Sequence, residues 1–299
     1  MPRRRVIKAL TKTQKRKKEH LEICLDTERV TSASGTGLNR YRFVHNALPE
    51  LDIDEIDLST TFLGKRLQAP ILISSMTGGF DLARKVNRNL AAAAQSLGLA
   101  MGVGSQRVAV EEPSAAGSFE VRDVAPDILL FGNLGAVQLN YGYTVEHCRR
   151  AVSMIGADAL ILHLNVLQEA VQPEGNRNFK GLGEKIAAVC RELEVPVIAK
   201  EVGNGISVDA AIRLQRAGVK ALDVAGYGGT SWSAVEAQLA VKQGKRPDTA
   251  FAAWGIPTEE ALVSVRQALP DIQLIASGGV RSGVDIAKDA GARRIDLGH

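Results

Sequence analysis

The 299 residues are 45% hydrophobic, enough to bury one large core, and three scattered cysteines (Cys24, Cys148, Cys190) without a CxxC pair argue against a disulfide framework or a thiolate zinc site. The net charge is only +4, yet the first twenty residues hold nine Lys and Arg against Glu19 alone, so the remainder is net negative; a global nucleic-acid-binding surface is excluded on that ground. No apolar run approaches the roughly 18 residues of a membrane span, no apolar stretch follows the basic start, and Ser is too scarce there for a transit peptide, so the expectation is a soluble, cytoplasmic protein.

Residues 1–69 read as an N-terminal extension, and 70–299 as one repetitive domain. From Pro70 onward short apolar runs, nearly continuous as in strands covered on both faces, alternate with segments of helical period. The runs are Ile71–Ser75, Leu99–Val103, Ile128–Gly132, Ala159–His163, Val197–Lys200, Ala221–Val224 and Ile272–Ala276, with an eighth candidate at Ile295–Leu297. The helical segments between them include Leu82–Ser96, Thr144–Ile155, Leu182–Leu193, Val208–Ala217 and Glu259–Ala268, several ending in a Gly suited to a C-cap. Seven βα units and part of an eighth predict an α/β fold, a (β/α)8 barrel of the usual size of about 250 residues. Its chemistry then belongs at the C-terminal ends of the strands.

Those ends are polar and glycine-rich. Ser74-Ser75-Met76-Thr77-Gly78-Gly79 follows the first run; a tight turn explains it nearly as well as a ligand does. Gly104-Ser105-Gln106-Arg107 and Asn133-Leu134-Gly135 follow the next two. The fourth ends in His163-Leu164-Asn165 and continues to Gln168-Glu169 and Gln172-Pro173-Glu174-Gly175. Strand alternation aims His163 and Asn165 to one side. Glu169 is the metal-ligand candidate, because Mg²⁺ keeps several waters and takes few protein carboxylates. Lys200 sits in an apolar run and needs a partner: a ligand edge, or an ion pair with Glu201 or another rim carboxylate. The loops Gly226–Ser231 and Ser277–Gly283 read as anion cradles in the place where barrels hold phosphate, implying a phosphorylated cofactor. Neither matches GxGxxG or GxxxxGK[ST], and no GxSxG elbow occurs.

In order, these motifs resemble the type 2 isopentenyl diphosphate isomerases, a family of flavoproteins. Arg16-Lys17-Lys18-Glu19-His20 is similar to the family's RKxEH segment, which implies that Arg16 and Lys17 cover the barrel mouth and reach the substrate diphosphate. The resemblance further implies FMN contacts at Ser75, Met76, Thr77, Ser105, Asn133, Lys200, Ala225, Thr230, Gly278, Gly279 and Val280, with Ala225 standing where many relatives carry serine. Substrate contacts are implied at Ser105, Gln106, Arg107, His163, Asn165 and Gln168, with Gln168 and His163 as the catalytic candidates, and Mg²⁺ at Glu169. NADPH is implied as the outside reductant of the flavin, and a tetramer or octamer as the assembly. Relatives continue through an eighth strand and further helix, so the last unit, Gly291–His299, is expected to be incomplete; the apolar strand faces it leaves open lose roughly 25 cal/mol per Å² of burial. Two rivals stand beside this reading. An FMN-dependent 2-hydroxy-acid oxidase shares the barrel but needs a His/Arg pair that Gly203-Asn204-Gly205 does not offer, and an inactive flavin-binding relative keeps the motifs without turnover.

Overall fold

The structure is a computed structural model that describes residues 11–25, 30–32 and 35–291. Helix α1 (Lys12–Cys24) is followed by the hairpin β1 (Thr60–Phe62) and β2 (Lys65–Leu67), and then by alternating units: β3 (Leu72–Ile73), α2 (Asp81–Leu97), β4 (Ala100–Gly102), α3 (Arg107–Glu111), β5 (Leu130–Gly135), α4 (Val145–Ile155), β6 (Ala159–Leu164), α5 (Val166–Val171), α6 (Leu182–Glu192), β7 (Val197–Glu201), α7 (Val208–Arg216), β8 (Ala221–Asp223), α8 (Trp232–Lys242), α9 (Thr258–Ala268), β9 (Gln273–Ile275) and α10 (Gly283–Gly291). Strands β3 to β9 pair in sequence order, every neighbour parallel. These are the first seven βα units of a (β/α)8 barrel, as the alternation predicts. The eighth candidate, Ile295–Leu297, lies outside the described residues.

The helices expected from periodicity fall within a residue or two of their places. α2 and α4 end on Gly98 and Gly156, both left-handed with φ near +60°, the C-cap geometry glycine adopts without steric cost. One strand is displaced: Ile128–Gly132 was expected, and β5 runs Leu130–Gly135. Arg122 causes the shift. Its guanidinium donates to the Ile128 and Gly156 carbonyls and to Asp158, while the Asp158 carboxylate accepts from the Leu130 N–H. Ile128 is thereby held in the connection, and Asn133 becomes part of the strand.

Two layers of apolar side chains follow from the period of the strands. Outward residues pack under the helices, as Leu134, Leu160, Leu162, Val197 and Ala199 do. Inward residues Ala100, Leu129, Phe131, Ala159, Ile161, Ile198 and Ala221 fill the barrel. Phe62 and Leu63 of the hairpin join this inner cluster. Hydrogen bonds from Lys65 to the Ile128 carbonyl and from the Leu63 N–H to Gln273 place the hairpin at the N-terminal ends of the strands, opposite the mouth. Of the extension's described elements, α1 lies at the mouth and β1–β2 at the floor. Between them, Arg40 and Tyr41 both bond the buried carboxylate of Glu259 on α9.

Candidate functional site

Counting two residues onward from the inward core positions gives the layer above them. Phe131 leads to Asn133, Ile161 to His163, Ile198 to Lys200, Ala221 to Asp223 and Ile275 to Ser277. This period-2 relation brings polar groups from five strands together over an apolar floor. His163 Nδ1 lies 2.8 Å from Asn133 Oδ1, and since a carboxamide oxygen only accepts, Nδ1 carries the proton and Nε2 is left as an acceptor. Burial, then the charges of Lys200 and Lys17, push the His163 imidazole down to about 4. It is neutral at physiological pH.

Lys200 Nζ sits 3.2 Å from Asp223 Oδ2 and donates to the Glu201 carbonyl at 3.0 Å. The partner its apolar run demanded is therefore Asp223, and the Glu201 side chain is engaged elsewhere: one of its carboxylate oxygens accepts from the N–H groups of Val202, Gly203 and Asn204. Burial pushes Glu201 up to about 7 despite those bonds.

Helix α1 crosses the mouth because Ile23 packs with Val30, Val235 and Leu239 while Arg16, Lys17 and His20 turn inward. Lys17 donates to the Ser105 carbonyl at 2.7 Å and lies 5.4 Å from the centre of the Phe119 ring. Burial, then the charge of Arg107, pull its ammonium down to about 7, against the opposing pull of Glu111. Arg16 bonds Gln172 and reaches Glu236 Oε1 at 2.7 Å. The same oxygen is met by His20 at 3.3 Å and by Gln168 at 3.2 Å. Glu236 is buried and ties the covering helix to α8 and to α5.

Glu169 is 6% exposed. Its oxygens accept from Asn165 at 3.0 Å, Gln172 at 2.8 Å and the Asn176 N–H at 2.6 Å. Among the described residues no ion pair gives this carboxylate a cation. Asn165 has left strand β6 and caps α5; its Oδ1, like Ser75 Oγ, is buried without a hydrogen-bond partner. A buried carboxylate beside an unused amide oxygen is an all-oxygen donor set, which suits a hard divalent cation. The unpartnered hydroxyl of Ser75, the ammonium of Lys200 and the amide of Asn133 suit the heteroatoms of a flat polar ring.

The glycine-rich loops after β8 and β9 interlock. A Cβ on Gly278 would lie 2.1 Å from the Gly226 carbonyl, and one on Gly279 2.3 Å from that of Gly228; both glycines have positive φ. Thr258 donates to the Gly278 carbonyl. Loop-to-loop packing thus demands glycine at these positions, whatever the loops hold. Ala225 opens the first loop with φ +36°, Thr230 is exposed and bridged to Thr31, and Val280 is half-buried just before α10.

Three expected site residues are placed differently from the rest. Gln106 is fully buried; its amide donates to the Ala151 carbonyl and accepts from the Asn133 N–H, which fastens α3 and α4 to β5 and leaves no group for a ligand. Arg107 is directed to Glu111 at 2.9 Å, beside Lys17. Met76 is 66% exposed. Asp223 and Glu236 were not anticipated, although each is a charge inside an apolar run, the same signal that marks Lys200.

A family model described as FMN-dependent dehydrogenase matches residues 9–126. The isopentenyl-diphosphate delta-isomerase of Nostoc sp. (strain PCC 7120 / SAG 25.82 / UTEX 2576) is 56% identical over 277 residues, 92% of this chain and 79% of the relative. That of Xanthobacter autotrophicus (strain ATCC BAA-1158 / Py2) is 55% identical over 275 residues, 92% and 80% of the two chains. Among solved structures, a mandelate oxidase aligns with a TM-score of 0.57 at 18% identity, over 92% of this chain and 78% of that one, a likeness of fold alone. With more than half of its residues identical across most of both chains, this protein belongs to the isopentenyl-diphosphate delta-isomerase family.

Proposed function

We propose that the chain interconverts isopentenyl diphosphate and dimethylallyl diphosphate with FMN and Mg²⁺ at the mouth of the barrel. The observation that carries this reading is Lys17: a covering helix presses its ammonium into the mouth so tightly that its pKa falls to about 7, and an anionic ligand reverses that loss. Arg16 and Arg107 complete the diphosphate contacts. Glu169, with Asn165, holds Mg²⁺, since a buried carboxylate met only by neutral donors gains most from a cation.

Ser75, Thr77, Ser105, Asn133 and Lys200 hold the flavin ring, with Met76 over its exposed side. Ala225, Thr230, Gly278, Gly279 and Val280 line its phosphate arm. Bound in reduced form, FMN supplies proton-transfer chemistry without net electron flow, and NADPH serves as the reductant. Gln168 lies between Asn165 and Glu236, placed to orient the substrate's carbon chain. The neutral His163 accepts a hydrogen bond through Nε2 rather than donating a proton.

No helix among the described residues is long and apolar enough to cross a membrane, in keeping with a cytoplasmic enzyme. Phe43, Val44, Leu48, Leu51, Ile53 and Ile56 are each more than half exposed, an apolar strip suited to contact with other copies in a tetramer or octamer. The test is to incubate the purified chain with isopentenyl diphosphate, FMN, Mg²⁺ and NADPH and follow the allylic product by proton NMR. Product formation is expected. Oxidation of 2-hydroxy acids without isomerisation would transfer the chain to the oxidase reading, and stoichiometric FMN uptake with neither reaction would make it a flavin binder.

A further inference from the structure

The inward layer contains one fully buried carboxylate that the proposed chemistry leaves unused. Asp223 ends β8, in parallel register with Lys200 on β7 and with Ile275 on β9, and it is 0% exposed. Oδ1 accepts from the Ser277 hydroxyl at 2.5 Å and from the Ala225 N–H at 3.2 Å. Oδ2 faces Lys200 Nζ at 3.2 Å and has no hydrogen-bond partner. The carboxylate is therefore fixed by two neutral donors on one oxygen and turned to the ammonium with the other.

We propose that Asp223 is a positioning residue that holds the Lys200 ammonium aimed into the barrel mouth, so that a bound flavin ring meets a fixed positive charge. The proposal rests on the FMN reading above. A lysine this deep, with only 9% of its surface exposed, needs an opposite charge beside it to offset its lost hydration. The other charged or titratable groups around it do not serve. His163, its register partner on β6, and Lys17 are each neutral or cationic and never a counter-charge, and the Glu201 carboxylate is turned into its own backbone N–H groups. Asp223 also accepts from Ala225 at the left-handed turn that opens the Gly226–Ser231 loop, so a purely structural role is the alternative to be separated.

The dissociation constant of FMN, read from quenching of flavin fluorescence on titrating the full-length apoprotein, separates them. Asp223→Asn keeps the size of the side chain and an acceptor oxygen for Ser277 and Ala225 but removes the charge and the oxygen that faces Lys200. This change is expected to weaken FMN binding about tenfold or more in the parent and less than about threefold in a Lys200→Met background, because the aspartate acts through the ammonium. An equal loss in both backgrounds overturns the proposal and leaves Asp223 a loop-shaping residue. Should the single variant not fold, Lys200→Met is compared with Lys200→Met/Asp223→Asn. Equal affinities within about threefold support action through Lys200, and a larger further loss on removing Asp223 overturns it. A parent chain that takes up no FMN at any pH removes the FMN reading and this proposal with it, a result distinct from either pattern in the variants.

Discussion

Substrate binding should be coupled to protonation of Lys17, and the structure sets the size of the coupling. Burial and the neighbouring Arg107 hold the free ammonium at about 7, so roughly half of the molecules lack this charge at pH 7 and about nine-tenths at pH 8. A diphosphate brought against Lys17 restores the ordinary lysine range. Binding then takes up about 0.5 proton at pH 7 and about 0.9 at pH 8. If only the charged form binds well, the apparent dissociation constant rises about 50-fold from pH 7 to pH 9, a range in which the diphosphate itself changes little. The sign for the empty protein is the opposite of that for a stabilising pair. The folded pKa is below the unfolded value, so the burden on stability is complete below about pH 7 and is relieved as the pH rises toward 10.5. Calorimetric titration with the diphosphate in two buffers of different ionisation enthalpy measures the proton uptake directly. Lys17→Arg keeps its charge throughout and should flatten the pH dependence. If that variant kept the parent's slope, Lys17 would not be the titrating group and the argument from its burial would fail.

Three further outcomes follow from the same geometry. Glu169→Gln should lower kcat/KM at least about a hundredfold and weaken Mg²⁺ activation; a Mg²⁺ titration identical to the parent's would dismiss Glu169 as the ligand. Burial pushes the Glu236 carboxyl up, but the hydrogen bond from His20 and the charge of Arg16 hold it below the usual carboxylate range. Docking of α1 should accordingly persist above about pH 4.5 and loosen below it, and Glu236→Gln should speed amide exchange in residues 15–25 at neutral pH while raising KM more than it lowers kcat. Gly278→Ala places a Cβ 2.1 Å from the Gly226 carbonyl at φ +105°; a loss of about 3 kcal/mol or more in thermal or denaturant unfolding is expected, and an unchanged midpoint would show that the two loops are not packed as described.

Periodicity alone determined most of the architecture, because apolar runs of strand length and helical segments ending in Gly98 or Gly156 are local properties of the chain. It also placed Asn133, His163 and Lys200 near strand ends, where a barrel keeps its chemistry. Local pattern did not reveal which groups meet. Whether Gln106 faces a ligand or the Ala151 carbonyl, whether Lys200 pairs with Glu201 or Asp223, and whether residues 1–69 cover the mouth or plug the floor each depends on contacts between segments far apart in the chain. Glu236 makes the point most sharply: α8 gives it the signature of a misplaced surface acid, and only the packing of α1 across α8 turns it into the buried anchor of Arg16 and His20. A charge in an apolar run announces that a partner exists, since burial without one is too costly; the fold alone decides which partner arrives.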